Sequence, residues 1–193
     1  VIANPQSPIY NSSMSSSHLA LMRGINVGGK NKLPMADLAA MFTAAGCQEV
    51  RTFIQSGNIL FSATNPLAAK LPDLIAAQIT KRFGYRTPVV LRTAAELKNV
   101  VRANPFLAQG LPEDNLHVLF LADRPTPAAV KTLDPNRSAP DQFIVRGREI
   151  YLHLPNGVAR SRLTNDYFDT KLSTISTGRN WRTVTKLWEL IEA

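Results

Sequence analysis

Strand-like and helix-like segments follow one another in this chain in an order that recurs, and the recurrence restricts the fold more than any other feature. An apolar run at 18–22 predicts a strand. A helix is expected over 34–45, with Pro34 near its first turn, Met35, Leu38, Met41 and Phe42 on one face, and Gly46 as its stop. Two short β-branched and aromatic segments, 50–54 and 58–62, read as hairpin strands turned by Ser56-Gly57. A second helix is expected over 66–83, ended by Gly84, before a strand at 86–91. That succession is βαββαβ, which a split βαβ sandwich with helices against an antiparallel sheet buries naturally.

The same order then begins again. A short helix at 94–102 leads to a strand at 116–121, a helix at 127–133, and hairpin strands at 142–145 and 149–154 turned by Arg146-Gly147-Arg148. Helices at 163–172 and from about Asn180 onward close the chain. The last carries Trp181, Val184, Leu187, Trp188 and Ile191 at the spacing of a core face. The expected fold is α+β, two related ferredoxin-like βαββα subdomains with antiparallel sheets and helices. The division places a Ser, Asn and Pro-rich tail at 1–17, a first subdomain at 18–105 and a second at 106–193. Met14 stands inside the tail as a candidate initiator, and the tail has neither the basic start nor the long apolar centre of a targeting peptide.

With 193 residues, 45% of them hydrophobic, the chain can bury one large core or two small ones fused together. No apolar run reaches the roughly 18 residues of a membrane-spanning helix, so no membrane partner is expected. The lone Cys47 has no cysteine to pair with and no neighbouring metal-ligand pattern; neither a metal nor a cofactor is expected, and a reducing cytoplasm suits it. The formal charge is +8, and the excess is uneven: residues 1–105 hold eleven Lys and Arg against four Asp and Glu, whereas 106–193 hold eleven against ten. Such a field favours phosphates, nucleotides or nucleic acid as partners.

Three polar clusters stand out. In the first, Arg23-Gly24-Ile25-Asn26-Val27-Gly28-Gly29-Lys30-Asn31, three glycines and two cations lie between strand and helix, where bare N–H groups can meet an anion. The other reading is that the glycines only turn the chain. It approaches a phosphate-binding GxxxxGK[ST] loop, but Asn31 replaces the magnesium-binding hydroxyl and Pro34 starts the helix late. The second cluster is Gln55-Ser56-Gly57-Asn58, which hairpin chemistry alone also explains. The third runs from Ser176 through Thr177, Gly178, Arg179, Asn180, Trp181 and Arg182 to Thr183 at the start of the last helix; Asn180 or Thr177 as a cap explains part of it but not Arg179.

RGINVGGKN, QSGN and TGRNW, in that order, resemble the DUF1697 family of bacterial proteins, which has no assigned biochemical function. The resemblance implies two interwoven ferredoxin-like subdomains. It marks Arg23, Gly24, Asn26, Val27, Gly28, Gly29 and Lys30, then Gln55, Ser56, Gly57 and Asn58, then Thr177, Arg179, Asn180, Trp181 and Thr183 as signature positions. Gly178 departs from the pattern, which leads one to expect threonine or a larger residue there.

The chemistry of these positions is that of donors and neutral hydrogen-bonding groups, suited to fixing phosphate or carboxylate oxygens and poor at abstracting protons. Arg23, Asn26, Gly28, Gly29, Lys30, Gln55, Ser56, Asn58, Thr177, Arg179 and Asn180 are therefore the expected binding residues for a phosphorylated or other anionic small ligand. Arg23, Lys30 and Arg179 are expected to approach one another. A catalytic base is not identified, since His18, His117, His153, Asp166 and Asp169 all read as ordinary strand or helix residues. Two other classes remain open: a nucleic-acid-binding module using the basic first half, and an enzyme acting on a phosphorylated small molecule.

Overall fold

The computed structural model describes residues 15–193. It contains two four-stranded antiparallel sheets, each drawn from one half of the chain. The first half supplies β1 (Ser16–Met22), α1 (Met35–Ala44), β2 (Gln48–Phe53), β3 (Asn58–Ala63), α2 (Asn65–Phe83), β4 (Val89–Thr93) and α3 (Ala94–Arg102). The second supplies β5 (Leu116–Leu121), α4 (Pro127–Val130), β6 (Gln142–Arg146), β7 (Glu149–His153), α5 (Asn165–Leu172), β8 (Ser176–Asn180) and α6 (Trp181–Glu192). The strand orders are β2-β3-β1-β4 and β6-β7-β5-β8, the same arrangement twice. Each half is thus βαββαβ followed by one more helix. The sheets are packed, not interwoven. Of the expected tail, residues 1–14 lie outside the described residues, and Ser16 and Ser17 already belong to β1.

Three layers of core explain the strand sequences. Leu19 and Leu21 of β1 face Val118 and Phe120 of β5 across a central core that also holds Leu97 and Val100 of α3 and Trp181, Val184 and Leu187 of α6. The alternate residues Ala20 and Met22 face α1 and α2, and Leu119 and Leu121 face α5. Both faces of each central strand are buried, so β1 and β5 read as continuous apolar runs without alternation. Each large apolar side chain so buried contributes about 1.5–3 kcal/mol.

Helix boundaries follow local chemistry. Thr93 and Glu96 form a reciprocal capping box at α3, Thr164 caps α5, and Gly84 ends α2 in the left-handed conformation. The fourth strand starts at Val89, later than expected, directly after a proline that has no N–H to give the ladder.

The largest departure is β8. Ser176–Asn180 was expected as the approach to the last helix, and it is instead a strand beside β5, pairing Leu121 with Ser176 through to His117 with Asn180. Five residues of Ser, Thr, Gly, Arg and Asn carry no apolar signal. They are held extended by pairing with a buried strand, and tertiary position overrides propensity here.

Candidate functional site

Strand alternation sends the side chains of β8 to opposite sides of the sheet. Ser176 turns toward α5, where its hydroxyl donates to Asp169 and accepts from Asn165. Thr177 and Arg179 turn toward the first half. The Thr177 hydroxyl donates to the carbonyl of Met22 at 3.0 Å. Arg179 is 9% exposed and spends all its donors on neutral acceptors. Nε donates to Asn58 Oδ1 at 2.6 Å, Nη1 to Thr177 Oγ1 and the Gly178 carbonyl, and Nη2 to the carbonyls of Met22, Ser56 and Gly57.

The two halves use this device reciprocally. Arg92 lies opposite Leu19 in the first sheet as Arg179 lies opposite Val118 in the second. The residue after each caps the following helix, Thr93 for α3 and Asn180 for α6. Nη2 of Arg92 donates to the carbonyls of Leu121 and Arg148, the counterparts of Met22 and Gly57, and Nη1 to the preceding carbonyl, that of Leu91. The difference is at Nε. Arg92 Nε meets the carboxylate of Glu149 at 2.8 Å, whereas Arg179 meets the neutral amide of Asn58. Burial lowers the pKa of both guanidiniums; at Arg92 Glu149 opposes the effect, while Arg179 falls to about 10 with no carboxylate to oppose it.

Arg179 borders a cleft of about 640 Å³ between the halves. Met22, Arg23, Gly24, Ile25, Val27, Ile54 and Ser56 contribute one wall; His117, Leu119, Leu152, Thr164, Asn165, Gly178 and Asn180 contribute another. Gly178 needs no special backbone conformation, but a Cβ there would meet Leu119 Cδ2 at 2.9 Å. Glycine at this residue leaves the cleft wall without a side chain.

The three sequence clusters do converge, although much of their chemistry is spent in holding the convergence. Asn26 bonds the carbonyls of Leu33 and Gln55 and accepts from the Leu33 N–H; Asn58 bonds the Phe53 carbonyl and the Ser56 hydroxyl. Gly28 and Gly29, both at positive φ, form the two-residue turn of a small hairpin closed by Lys30 and Val27. Neither glycine borders the cleft, nor do Lys30 and Gln55, whose side chains are exposed. The expected grouping of Arg23, Lys30 and Arg179 is therefore corrected: Arg23 and Arg179 share the cleft, and Lys30 sits beyond it. Arg23 is moreover ion-paired to Asp166 and Asp169 on one face of α5. The i, i+3 spacing of those carboxylates was visible in the sequence; their distant partner was not. Asn180 acts as the α6 cap, accepting from the Thr183 N–H.

Sequence reasoning missed the α5 end of the cleft, including Ser161, Thr164 and Asn165, and it placed His117 merely inside a strand. Nδ1 of His117 is buried without a hydrogen-bond partner, and burial lowers the imidazole's pKa. His18 instead stacks on Phe61 with Nδ1 at 2.7 Å from the Ser16 carbonyl, a structural role. Among the described residues no three His, Cys, Asp or Glu side chains gather as a metal site, and no helix is long and apolar enough to cross a membrane.

The family DUF1697, described as a protein of unknown function, matches residues 15–151. The chain belongs to this family. The match includes the first two polar clusters and ends before the third. Among solved structures, the chain is similar to the conserved bacterial protein SP0830 from Streptococcus pneumoniae, with 21% identity and a TM-score of 0.64 over 93% of this chain and 100% of that one. At this identity the likeness speaks for the fold alone. No curated protein matches the chain.

Proposed function

We propose that this DUF1697 protein binds a small anionic molecule, a phosphate monoester or carboxylate, in the cleft between its halves. The carrying observation is the charge of Arg179, buried at the cleft wall without a carboxylate, where its counterpart Arg92 has Glu149. A buried cation raises the potential of an adjoining cleft because little water screens it, and an anion there supplies the missing countercharge. Arg179 acts through this field, since its own N–H groups are committed.

Direct donors come from elsewhere. The Ser56, Ser161 and Thr183 hydroxyls on the cleft donate to no acceptor among the described residues, and Arg23 uses only part of its fork on Asp166 and Asp169. Binding, with no chemical step, is the function these groups support. Recognition of nucleic acid by an open sheet has less to draw on, because the inner strands β1, β3, β5 and β7 are buried on both faces. A reducing cytoplasm remains the setting that fits the buried thiol of Cys47.

Calorimetric titration with phosphate monoesters and carboxylates tests the reading, with Asn58→Asp as the contrast. That substitution gives Arg179 the countercharge Arg92 already has, and it is expected to weaken anion binding at least tenfold. If no anion binds, or if Asn58→Asp binds as the parent does, the proposal fails.

A further inference from the structure

We propose that the ligand of this cleft is an amphiphile, with one anionic group at the Arg179 end and an apolar body held along Val27, Ile54 and Val158. The proposal rests on the anion-binding reading above and names the class of molecule. Five large apolar side chains are exposed among the described residues, and three of them stand on this one opening: Val27 at 64%, Ile54 at 51% and Val158 at 59%. Isolated exposed apolar residues are ordinary and require no explanation. These three come from separate pieces of chain, the hairpin tip after β1, the turn between β2 and β3, and the short 3-10 turn at Val158–Arg160.

Ile54 adds an independent observation. Its φ is +49°, in the left-handed region where a β-branched residue is strained and Gly or Asn is at ease. An isoleucine here gives up backbone comfort and, half exposed, gains little packing in return. Strained residues of this kind cluster at ligand clamps. Behind the rim, Leu119, Leu152 and Leu163 continue the apolar surface inward. An opening of about 640 Å³ with such a lining accommodates an organic molecule far larger than a bare phosphate ion. Charge complementarity to Arg179 makes that molecule an anion, and the rim makes its body apolar.

The test uses the whole chain and a series of n-alkyl phosphates from butyl to octyl in calorimetry, with 1-octanol as the neutral control and anionic phospholipid vesicles in sedimentation. Affinity is expected to rise about fourfold for each methylene until the tail outgrows the cleft. Octanol should bind at least tenfold more weakly than octyl phosphate. Ile54→Asn should relieve the backbone strain and raise the melting temperature while weakening octyl phosphate binding about tenfold. Equal affinity for butyl and octyl phosphate would overturn the amphiphile and leave the anion site standing. Absence of binding by every alkyl phosphate would overturn the amphiphile proposal, and absence of carboxylate binding as well would remove the anion site. Sedimentation with vesicles in the absence of binding to monomeric alkyl phosphates would also overturn the proposal, by making the rim a membrane-contacting surface.

Discussion

Arg92 and Arg179 occupy equivalent positions in the two halves, and each reaches across to the backbone carbonyls of the opposite sheet, yet only Arg92 ends on a carboxylate. The pair works as two reciprocal staples. Removing Arg179 leaves the Ser56 carbonyl and Asn58 Oδ1 without a donor, while the Met22 and Gly57 carbonyls keep the Thr177 hydroxyl and the Met22 N–H. Arg179→Ala is therefore expected to cost about 3 kcal/mol or more in urea denaturation, and Arg92→Ala a comparable amount. A loss under about 0.5 kcal/mol for Arg179→Ala would mean that water replaces the staple at no cost.

Two glycines lead to opposite expectations. A Cβ on Gly57, at φ +72°, would lie 2.4 Å from Met22 Cβ, close to rigid backbone, so Gly57→Ala should destabilise by about 3 kcal/mol or more. Gly178 is an ordinary strand position whose nearest neighbour is the flexible end of Leu119, with Asn165 Oδ1 at 4.0 Å. Gly178→Thr should keep the fold, with a melting temperature within a few degrees of the parent, and reduce the room in the cleft. Weaker ligand binding at nearly constant stability is the signature to look for. Collapse of the fold would show that the strand tolerates no side chain there.

His117 makes stability depend on pH. Burial is the main cause of its lowered pKa, opposed in part by a hydrogen bond involving the Asn115 backbone, against an ordinary value of 6.5. Below that ordinary value the unfolded chain takes up a proton that the folded chain resists. The stabilisation is thus complete above about pH 6.5 and is lost as pH falls through the folded pKa, with a slope of at most about 1.4 kcal/mol per pH unit. Denaturation curves between pH 7.5 and 5 should show this slope, and His117→Gln should flatten it. An unchanged slope in the variant would assign it to other groups.

Interdependence of the halves is the remaining expectation. Leu19, Leu21 and Val90 of the first sheet find their partners in Val118, Phe120 and Tyr151 of the second, with Trp181 and Leu187 of α6 between them. Arg51 also donates to the Leu190 carbonyl of α6. Fragments 15–105 and 106–193 should not fold apart, because each alone would expose one side of this shared core to water. A cooperative thermal transition of either fragment near that of the whole chain would show them to be independent.

Much of this architecture is legible where hydrophobic pattern alone dictates structure. β1, β5, the hairpins and the apolar stripe of α6 emerge from local sequence, because a segment buried on one or both faces must write that burial into its residues. Asn180 is legible as a cap for the same local reason: its side chain serves an N–H three residues away. The donor chemistry of the three polar clusters is also plain from composition, as is the absence of a conventional nucleotide-binding loop.

Other features depended on distance in sequence. Ser176–Asn180 carries no strand pattern, and only pairing with β5 makes it a strand. Arg23 has no acid near it in the chain, and folding brings Asp166 and Asp169 to it across more than 140 residues. Whether Arg179 offers its N–H groups to a ligand or to the protein could not be read from TGRN, because four of its six acceptors are main-chain carbonyls, which every residue type possesses and no sequence advertises. The amino-acid sequence determined which segments must be buried and which side chains can donate; the tertiary structure decided which donors were consumed. That division follows from range: burial and capping act within a few residues, whereas the partners of a buried charge are whatever the packed sheets bring beside it.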